Sequence, residues 1–493
     1  MDQILLAITG LMQPMALSML FLGVFLGIVV GAIPGLSTTM LIALTLPVTY
    51  MMRDTDAMTL LVAMYVGGIS GGLISAILIN MPGTPSSFFT TLDGYPMAQK
   101  GRAARALALG VFASLVGGCV SFVLLLTLAP PLASIALKFG PWEFFAMVMM
   151  ALVLISALSG DSFFKGILAG FLGMLFSLPG IDGTTGTLRF TFGIEALSAG
   201  LNLLPVLVGV FALSQVINEV GSSTVQGFSQ RVSLKELFVS QRGYWVHRWN
   251  LLRSSLLGTW IGLLPGIGGN IAAMVAYSAS RTLSEEPEKF GKGAEEGLVS
   301  TEAANNASIG GTFIPLISLG IPGSTVDAIL MGALVIHNVQ LGPMLIIENP
   351  KIVYSIIMTY GLANMVMFAM MMLFIPILAR LLEIPKAFVL AAISVFCVIG
   401  IFAANNRLSD VWILLFFGVL GAIFLRLRVP LGPFVIGFVL APIAERELRA
   451  GMMLSDGNFG AVLSQPIATS MLAVSLIIAA MPLVKPLFQK SKA

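Results

Sequence analysis

Four Pro-Gly dipeptides, each followed by small polar residues, are the strongest chemical signal in this sequence. They are Pro34-Gly35, Pro82-Gly83, Pro265-Gly266 and Pro322-Gly323. Proline removes a backbone donor and glycine lets the chain leave helical geometry, so each dipeptide predicts a broken helix. At membrane depth the freed backbone groups must be buried in protein or line a wet cavity. Amides that begin the next half-helix suit a carboxylate, and carbonyls that end the previous one suit a cation.

The residues around the four breaks are therefore predicted to bind an anionic substrate. The predicted substrate ligands are Gly35, Ser37, Thr38, Thr39, Gly83, Thr84, Ser86, Ser87, Gly266, Gly268, Asn270, Gly323, Ser324 and Thr325. The alternative is that the breaks are kinks at which small residues let helix backbones approach each other. Two matched pairs of breaks favour the binding role over the packing role.

Amide and acid side chains near the breaks are predicted to hold a coupling ion. These are Asn80, Asn305, Asn306 and Asp327. Polar groups inside a membrane are costly, so they are functional candidates by default. Glu302 lies in the same stretch, STEAANNASIGG, and is either a further functional acid or a solvated residue near the membrane surface. Apart from a sodium ion, no metal site or other cofactor is expected.

The composition of the chain is typical of a membrane protein. Of 493 residues, 57% are hydrophobic and 10% are charged, whereas soluble domains carry about 25% charged residues. We expect an all-α polytopic membrane protein with roughly 11 to 14 membrane segments, because one crossing needs about 20 apolar residues. Asp2 stands where a signal peptide would be basic, so the first apolar segment is expected to be retained. A net charge of +3 from scattered basic residues argues against nucleic-acid binding.

An internal repeat divides the chain. GAIPGLSTTM at 31–40 resembles GLLPGIGGNI at 262–271, and residues 70–87 resemble residues 310–327. We therefore predict a first transmembrane repeat at 1–218, a basic cytoplasmic connector at 219–253 and a second repeat at 254–493. Such repeats are characteristic of secondary transporters, whose binding site lies where the halves meet. The sequence leaves parallel and inverted repeats both open.

Basic residues predict the orientation of the chain. Lys and Arg concentrate at 100–105 and in the connector, and four ordinary spans separate these clusters. Both clusters can therefore face the cytoplasm, as the positive-inside rule requires. The loop at 181–197 is then expected on the outer side.

Two alternative functions remain open at this point. Gly68-Ile69-Ser70-Gly71 matches the GxSG pattern of intramembrane serine proteases, whose partner base would have to be His247 or His337. The same glycines are better explained by close helix packing. A passive anion channel is the other alternative. The sequence has no Walker A motif, so the chain cannot itself use ATP.

Long motifs around the breaks resemble the large membrane subunit of tripartite tricarboxylate transporters, the TctA family. The resemblance is carried by GAIPGLSTTMLIALTLPVTY, YVGGISGGLISAILINMPGTPSSFFTTLDGYPMAQKG, GLLPGIGGNIAAMVAYSAS, EEGLVSTEAANNASIGGTFIPLISLGIPGS and GTTGTLRFTFG. It covers about residues 20–445. The resemblance implies a multi-pass protein of the bacterial inner membrane that imports citrate or other carboxylates with a sodium or proton gradient. It also implies two partners, a small membrane subunit of about four spans and a periplasmic solute-binding protein.

Overall fold

The computed structural model describes residues 2–158, 162–182, 185–220, 234–239, 244–266, 268–339, 342–381 and 386–489 of the chain. Within these residues the structure is helical, apart from a two-stranded antiparallel ribbon of β1 (Gly180–Ile181) and β2 (Leu188–Arg189). The helices of the first half are α1 (Asp2–Leu11), α2 (Pro14–Ala32), α3 (Thr38–Thr49), α4 (Asp54–Ile79), α5 (Phe88–Gln99), α6 (Ala103–Ala136), α7 (Pro141–Leu158), α8 (Phe163–Phe176), α9 (Leu203–Val208) and α10 (Ser214–Glu219). Those that follow are α11 (Leu234–Val239), α12 (Arg248–Gly262), α13 (Gly268–Leu283), α14 (Glu295–Leu319), α15 (Thr325–Ile336), α16 (Leu345–Glu348), α17 (Pro350–Leu381), α18 (Lys386–Asn405), α19 (Leu408–Arg426), α20 (Leu431–Leu454) and α21 (Pro466–Gln489).

Six of the described helices are long and apolar enough to cross a bilayer. Their spanning parts are Pro14–Ala32, Asp54–Ile79, Ala103–Ala136, Pro350–Ile377, Phe388–Asn405 and Leu408–Arg426. Shorter apolar helices, such as α3 and α15, follow the breaks. The prediction of an all-α polytopic membrane protein is confirmed.

Each predicted break interrupts the helical structure where the sequence places it. Helices α2 and α3 are separated at residues 33–37, and α12 ends before residues 263–266, which precede α13. Helices α14 and α15 are separated at residues 320–324, whereas the break after α4 includes a short 3₁₀ turn at Pro85–Ser87 before α5. Gly35 and Gly266 have positive φ values of 88° and 78°, a conformation in which a side chain would be strained. Both halves therefore contain two broken helices in the same order, although homology between the halves stays a prediction.

Helices α4 and α14 form the buried centre of the bundle. They run antiparallel, because Tyr65 stacks edge-on against Phe313 at 5.8 Å between ring centroids while Ser70 contacts Asn306 further along. Glycines let α2 approach α4 at backbone distance: a Cβ on Gly27 would lie 2.5 Å from the Met64 carbonyl oxygen. Close approach through small residues is the usual way that membrane helices pack.

The bundle has two distinguishable ends. At the first, the basic end, Lys100 donates to the Lys292 carbonyl at 2.6 Å and Arg105 pairs with Glu295 at 2.9 Å. His247, from the predicted connector, also contacts Glu295 at 3.3 Å, so the two basic regions meet at one end. The opposite, loop end carries β1 and β2. Connector residues Arg231 and Arg242 lie outside the described residues.

Helix α6 joins the two ends. Its 34 residues correspond to about 51 Å at 1.5 Å per residue, which exceeds the roughly 30 Å of a hydrocarbon core. The ends that it connects therefore lie on opposite sides of a bilayer. Which end faces the cytoplasm stays a prediction from the distribution of basic residues.

Candidate functional site

Segments from all four breaks line one cavity of about 590 Å³, which we call the inner cavity. Its volume is within the range of about 300–1,000 Å³ that small-molecule sites occupy. Eight predicted substrate ligands line it: Ser37, Thr39, Ser86, Gly266, Gly268, Asn270, Ser324 and Thr325. It is also lined by Tyr65, Ile69, Pro85, Phe211, Ser214, Gln215, Asn218, Glu219, Gly269, Ile271, Val326, Leu425, Pro430, Leu431 and Gly432.

The other predicted substrate ligands lie behind this lining. They are Gly35, Thr38, Gly83, Thr84, Ser87 and Gly323. Thr38 is buried against Gly68, and the Gly323 backbone packs against Thr312. These residues shape the breaks, whereas the eight lining residues can touch a ligand.

The first break is held by a glutamine that sequence reasoning missed. The Gln215 Nε2 donates to the Gly35 carbonyl at 2.8 Å, and the Ser37 hydroxyl donates to Gln215 Oε1 at 2.9 Å. Ser37 also caps α3 by accepting from the Met40 amide at 3.1 Å. One sequence signal could have identified Gln215, its polar side chain in an apolar run; the structure adds a π-helical turn at Gly209–Leu213 that precedes it. Such π-turns often occur at functional sites.

The second break is packed at backbone distance. A Cβ on Gly83 would collide with the carbonyl oxygen of Gly31, so only glycine fits there. Thr84 shares hydrogen bonds with the hydroxyls of Ser86 and Ser87, at 3.1 and 2.7 Å. Ser86 is the member of this hydroxyl group that also lines the inner cavity. The break therefore presents one hydroxyl to the cavity and uses the others to fix its shape.

The third and fourth breaks are joined directly. The Gly266 amide donates to the Gly323 carbonyl at 2.8 Å. Ser324 caps α15 by accepting from the Asp327 amide at 3.2 Å, and its hydroxyl shares a 3.0 Å hydrogen bond with Tyr65. A Cβ on Gly266 would lie 2.5 Å from the Ile155 Cα, whereas the space beside Gly268 is open. Gly266 is thus fixed by packing, and Gly268 is free to approach a ligand.

Two of the predicted coupling-ion residues are buried with polar atoms that make no hydrogen bond of regular geometry among the described residues. Asn305 is 1% exposed, and neither its Oδ1 nor its Nδ2 has such a bond. Asp327 is 0% exposed, and its carboxylate interacts with the hydroxyls of Ser324 and Thr312 without a hydrogen bond of regular geometry. Asn305 borders the inner cavity, because a Cβ on Gly269 would lie 2.5 Å from Asn305 Oδ1 and 3.4 Å from the Ser86 Cβ. Native structures rarely leave buried polar groups unpaired, so these two residues stay the candidates for an ion site.

The other two predicted coupling-ion residues are placed differently. Asn306 accepts from the Ser70 hydroxyl of α4 at 2.6 Å and donates to the Glu302 carbonyl of its own helix at 3.1 Å, so both polar atoms of its amide are hydrogen-bonded. Asn80 is exposed and ends α4 in a left-handed conformation with φ of 56°. Neither residue lines the inner cavity.

Glu302 is not a solvated residue near the membrane surface, and that interpretation is wrong. Its side chain is 0% exposed and accepts hydrogen bonds from the hydroxyls of Thr90 and Ser114, the latter at 3.2 Å. It therefore belongs to the buried polar interior between α5, α6 and α14.

The inner cavity can attract an anion without a basic side chain. Among its described lining residues none is lysine or arginine. The first residues of α3, α13 and α15 line it instead. Each helix N-terminus contributes about half a positive charge, so three supply about 1.5 charges. The acidic residue Glu219 also lines the cavity and opposes an anion, so the arrangement suits a carboxylate only when cations accompany it.

A separate charged cluster at the loop end was also missed from sequence. Arg189 of β2 pairs with Glu445 at 2.6 Å, and Arg449 pairs with Asp182 at 2.7 Å. Glu445 follows the apolar part of α20, and its hydrogen bond from Arg189 lowers the pKa of its carboxyl group. The cluster therefore fastens the ribbon of β1 and β2 to the end of α20.

Comparisons with known proteins agree with the motifs in the sequence. The family model described as the tripartite tricarboxylate transporter TctA family matches residues 17–436. A protein of Agrobacterium vitis described as an uncharacterized 52.8 kDa protein in the TAR-I ttuC' 3' region is 36% identical over 471 residues, which cover 94% of this chain and 93% of the relative. A second one from the same organism, described as an uncharacterized protein in the TAR-II ttuC' 3' region, is 35% identical over 220 residues, 45% of this chain and 91% of the relative. No solved structure matches the chain.

Proposed function

Because the chain belongs to the tripartite tricarboxylate transporter TctA family, a family of transporter components and not of enzymes, we propose that it is a permease subunit that imports carboxylates through the inner cavity. The observation that carries this proposal is the meeting of four broken helices at one cavity. Its substrates are tricarboxylates such as citrate, or related carboxylates, and it works in the bacterial inner membrane.

The substrate carboxylates are held by helix N-termini and hydroxyls. Asn270 and Ser324 stand at the starts of α13 and α15 and can donate to carboxylate oxygens. Ser37, at the start of α3, can do so by releasing its hydrogen bond to Gln215. A tricarboxylate brings up to three negative charges, whereas three N-termini offset about 1.5. Burying the remaining charge unpaired would cost several kcal/mol. A cation must therefore accompany the substrate, which makes ion coupling an electrostatic requirement.

The coupling ion is a sodium ion or a proton, and Asp327 and Asn305 are the residues that we propose for it. Asp327 offers a buried carboxylate, and the hydroxyls of Ser324 and Thr312 that interact with it can serve as further oxygen ligands. Asn305 offers an unpaired amide oxygen beside Gly269. Hard cations prefer oxygen ligands of this kind. Asp327 lies one helical turn from Ser324, so an ion there can sense the occupancy of the cavity.

The permease works with two partners that the family implies, a small membrane subunit and a periplasmic solute-binding protein. The binding protein would deliver the carboxylate to the loop end. Substrate choice would then rest largely on the binding protein, because the inner cavity offers general anion ligands.

The surroundings of Ser70 do not suit the catalytic site of an intramembrane hydrolase. The Ser70 hydroxyl is fully buried and donates to Asn306 at 2.6 Å, so it acts as a fixed interhelical contact. A nucleophilic serine needs a base within hydrogen-bond reach, and the partner here is an amide oxygen. A passive channel is the remaining alternative, and only an ion-gradient experiment separates it from a permease.

The proposal is tested with membrane vesicles that contain the chain, the small subunit and the cognate binding protein. Labelled di- and tricarboxylates are offered with and without an inward sodium gradient, and with and without a proton gradient. We expect accumulation that requires one gradient and the binding protein, and that collapses when the gradient is dissipated. Equilibration without accumulation under every gradient would favour a channel. Absence of any carboxylate movement would refute the function.

A further inference from the structure

A second cavity, of about 660 Å³, lies at the loop end and takes no part in the site described above. We call it the outer vestibule. Its lining includes Gly140 after α6, Asn338 after α15 and Arg446 of α20. Arg446 follows Glu445, which the ion pair with Arg189 fixes to the β1–β2 ribbon. The vestibule is therefore on the side of the molecule opposite to Lys100 and the basic end.

A short stretch of chain separates the outer vestibule from the inner cavity. Leu319, Gly320 and Ile321 line the vestibule, whereas Ser324, Thr325 and Val326 line the inner cavity. Only Pro322 and Gly323 lie between these two triplets. The fourth break thus has one cavity on each of its sides.

We propose that residues 319–326 are the movable wall between two halves of one pathway, and that the outer vestibule receives the carboxylate before it reaches the inner cavity. The wall can move because residues 320–324 at its centre are not part of a regular helix: Gly320 has φ of 70°, and Pro322 cannot donate a backbone hydrogen bond. The carboxylate as the passing ligand rests on the proposed function, whereas the position of the wall does not.

Two hydrogen bonds hold the wall against the inner cavity. The Gly323 carbonyl accepts from the Gly266 amide at 2.8 Å, and Ser324 shares a 3.0 Å hydrogen bond with the Tyr65 hydroxyl. Both partners, Gly266 and Tyr65, themselves line the inner cavity. A ligand there competes for the same groups that hold the wall, so its arrival can loosen the wall and its departure can restore it.

The first test measures from which side each face of the wall can be reached. Leu319→Cys and Thr325→Cys are made separately in a chain whose Cys119 and Cys397 are replaced by alanine, and are exposed to a membrane-impermeant thiol reagent. Right-side-out and inverted vesicles are compared without substrate. Phe192→Cys on the loop end and Lys289→Cys on the basic end, 83% and 60% exposed, report the orientation of the vesicles.

We expect Leu319→Cys to react only from the side that labels Phe192→Cys, and Thr325→Cys only from the side that labels Lys289→Cys. Reaction of both from one side would overturn the proposal. Because Leu319→Cys could disturb folding, Val335→Cys, in the outer vestibule and 44% exposed, serves as a second reporter with the same expectation. Labelling does not need transport, so these results stand even if no carboxylate is carried.

The second test weakens the wall. Tyr65→Phe removes the hydrogen bond to Ser324 and keeps the ring, and loss of one hydrogen bond should raise the labelling of Thr325→Cys from the loop end by roughly two- to tenfold. Tyr360→Phe is the control, because Tyr360 packs against the same Phe313 ring at 5.6 Å and its hydroxyl makes two buried hydrogen bonds, to Ser121 and to the Asn306 carbonyl, without touching the wall. If labelling from the loop end rises equally in Tyr65→Phe and Tyr360→Phe, or does not rise in Tyr65→Phe, the wall is held by other contacts.

Discussion

Asn305 and Asn306 are adjacent asparagines that should respond to the same substitution in opposite ways. Both are buried, at 1% and 0% exposure, so replacing either by alanine removes the same atoms from the interior. The cost of the void is therefore similar in the two variants. What differs is the hydrogen bonding: Asn306 is engaged by Ser70 and by the Glu302 carbonyl, whereas both polar atoms of Asn305 are unpaired.

The difference in stability between the two variants can be worked from these contacts. Asn306→Ala loses two hydrogen bonds, each with a net value of about 0.5–1.5 kcal/mol, and so about 1–3 kcal/mol in all. Asn305→Ala loses none and removes two unsatisfied groups, each costing about 1–3 kcal/mol while buried. We expect Asn305→Ala to unfold at the higher temperature, with a difference between the variants of about 3 kcal/mol or more.

The assay is thermal unfolding of the two variants in the same detergent without substrate and without sodium, so that no sodium ion pairs with Asn305, followed by uptake in vesicles. Asn305→Ala should be the more stable protein and yet lose its ion dependence, because the unpaired amide is proposed to bind the coupling ion. Asn306→Ala should be less stable and keep the ion dependence of whatever uptake remains. If Asn305→Ala were as destabilised as Asn306→Ala, Asn305 would be satisfied in the native protein and the reasoning would be refuted.

Three further outcomes follow from the geometry. Gly266→Ala should lower the free energy of unfolding by about 1–3 kcal/mol more than Gly268→Ala does, because both glycines have positive φ but only Gly266 lacks room for a Cβ. Equal melting temperatures of the two variants would contradict this. Ser70→Ala should lower the free energy of unfolding by about 1 kcal/mol and leave uptake intact. Loss of uptake at unchanged stability would instead favour a nucleophilic role for Ser70. The pKa of the Glu445 carboxyl group is lowered by Arg189, so the pair stabilises the fold at neutral pH and loses that effect at acid pH, where the carboxyl group becomes protonated. Acid unfolding of Arg189→Gln should therefore be less pH-dependent than that of the wild type, and identical pH profiles would exclude the pair as a stabilising contact.

Much of this architecture could be predicted because it depends on local sequence. Apolar composition predicts membrane helices, and a Pro-Gly dipeptide cannot continue a helix wherever it lies, so all four breaks are where the sequence places them. The pairing of similar motifs in the two halves indicated that the breaks belong together. The structure brings all four to one cavity, although their role in binding stays a proposal.

The part that could not be predicted depends on contacts between distant residues. Gln215 contacts Gly35 across 180 positions, and Arg189 contacts Glu445 across 256, so no local pattern shows either pairing. Asn305 and Asn306 are adjacent residues of the same type, and the sequence does not distinguish their roles. In the structure Asn305 faces Gly269 beside the cavity, whereas Asn306 faces Ser70. Adjacent helical residues point in directions about 100° apart, so their neighbours are known only once the helices are packed.

The measurement that tests the central claim most directly is carboxylate uptake before and after chemical block of the inner cavity. Thr325→Cys lines that cavity at the start of α15. In the chain without Cys119 and Cys397, a thiol reagent applied from the basic end should abolish ion-driven uptake, and saturating carboxylate with the coupling ion should slow the modification. Undiminished uptake after complete modification of Thr325→Cys would show that the carboxylate crosses the membrane by another route.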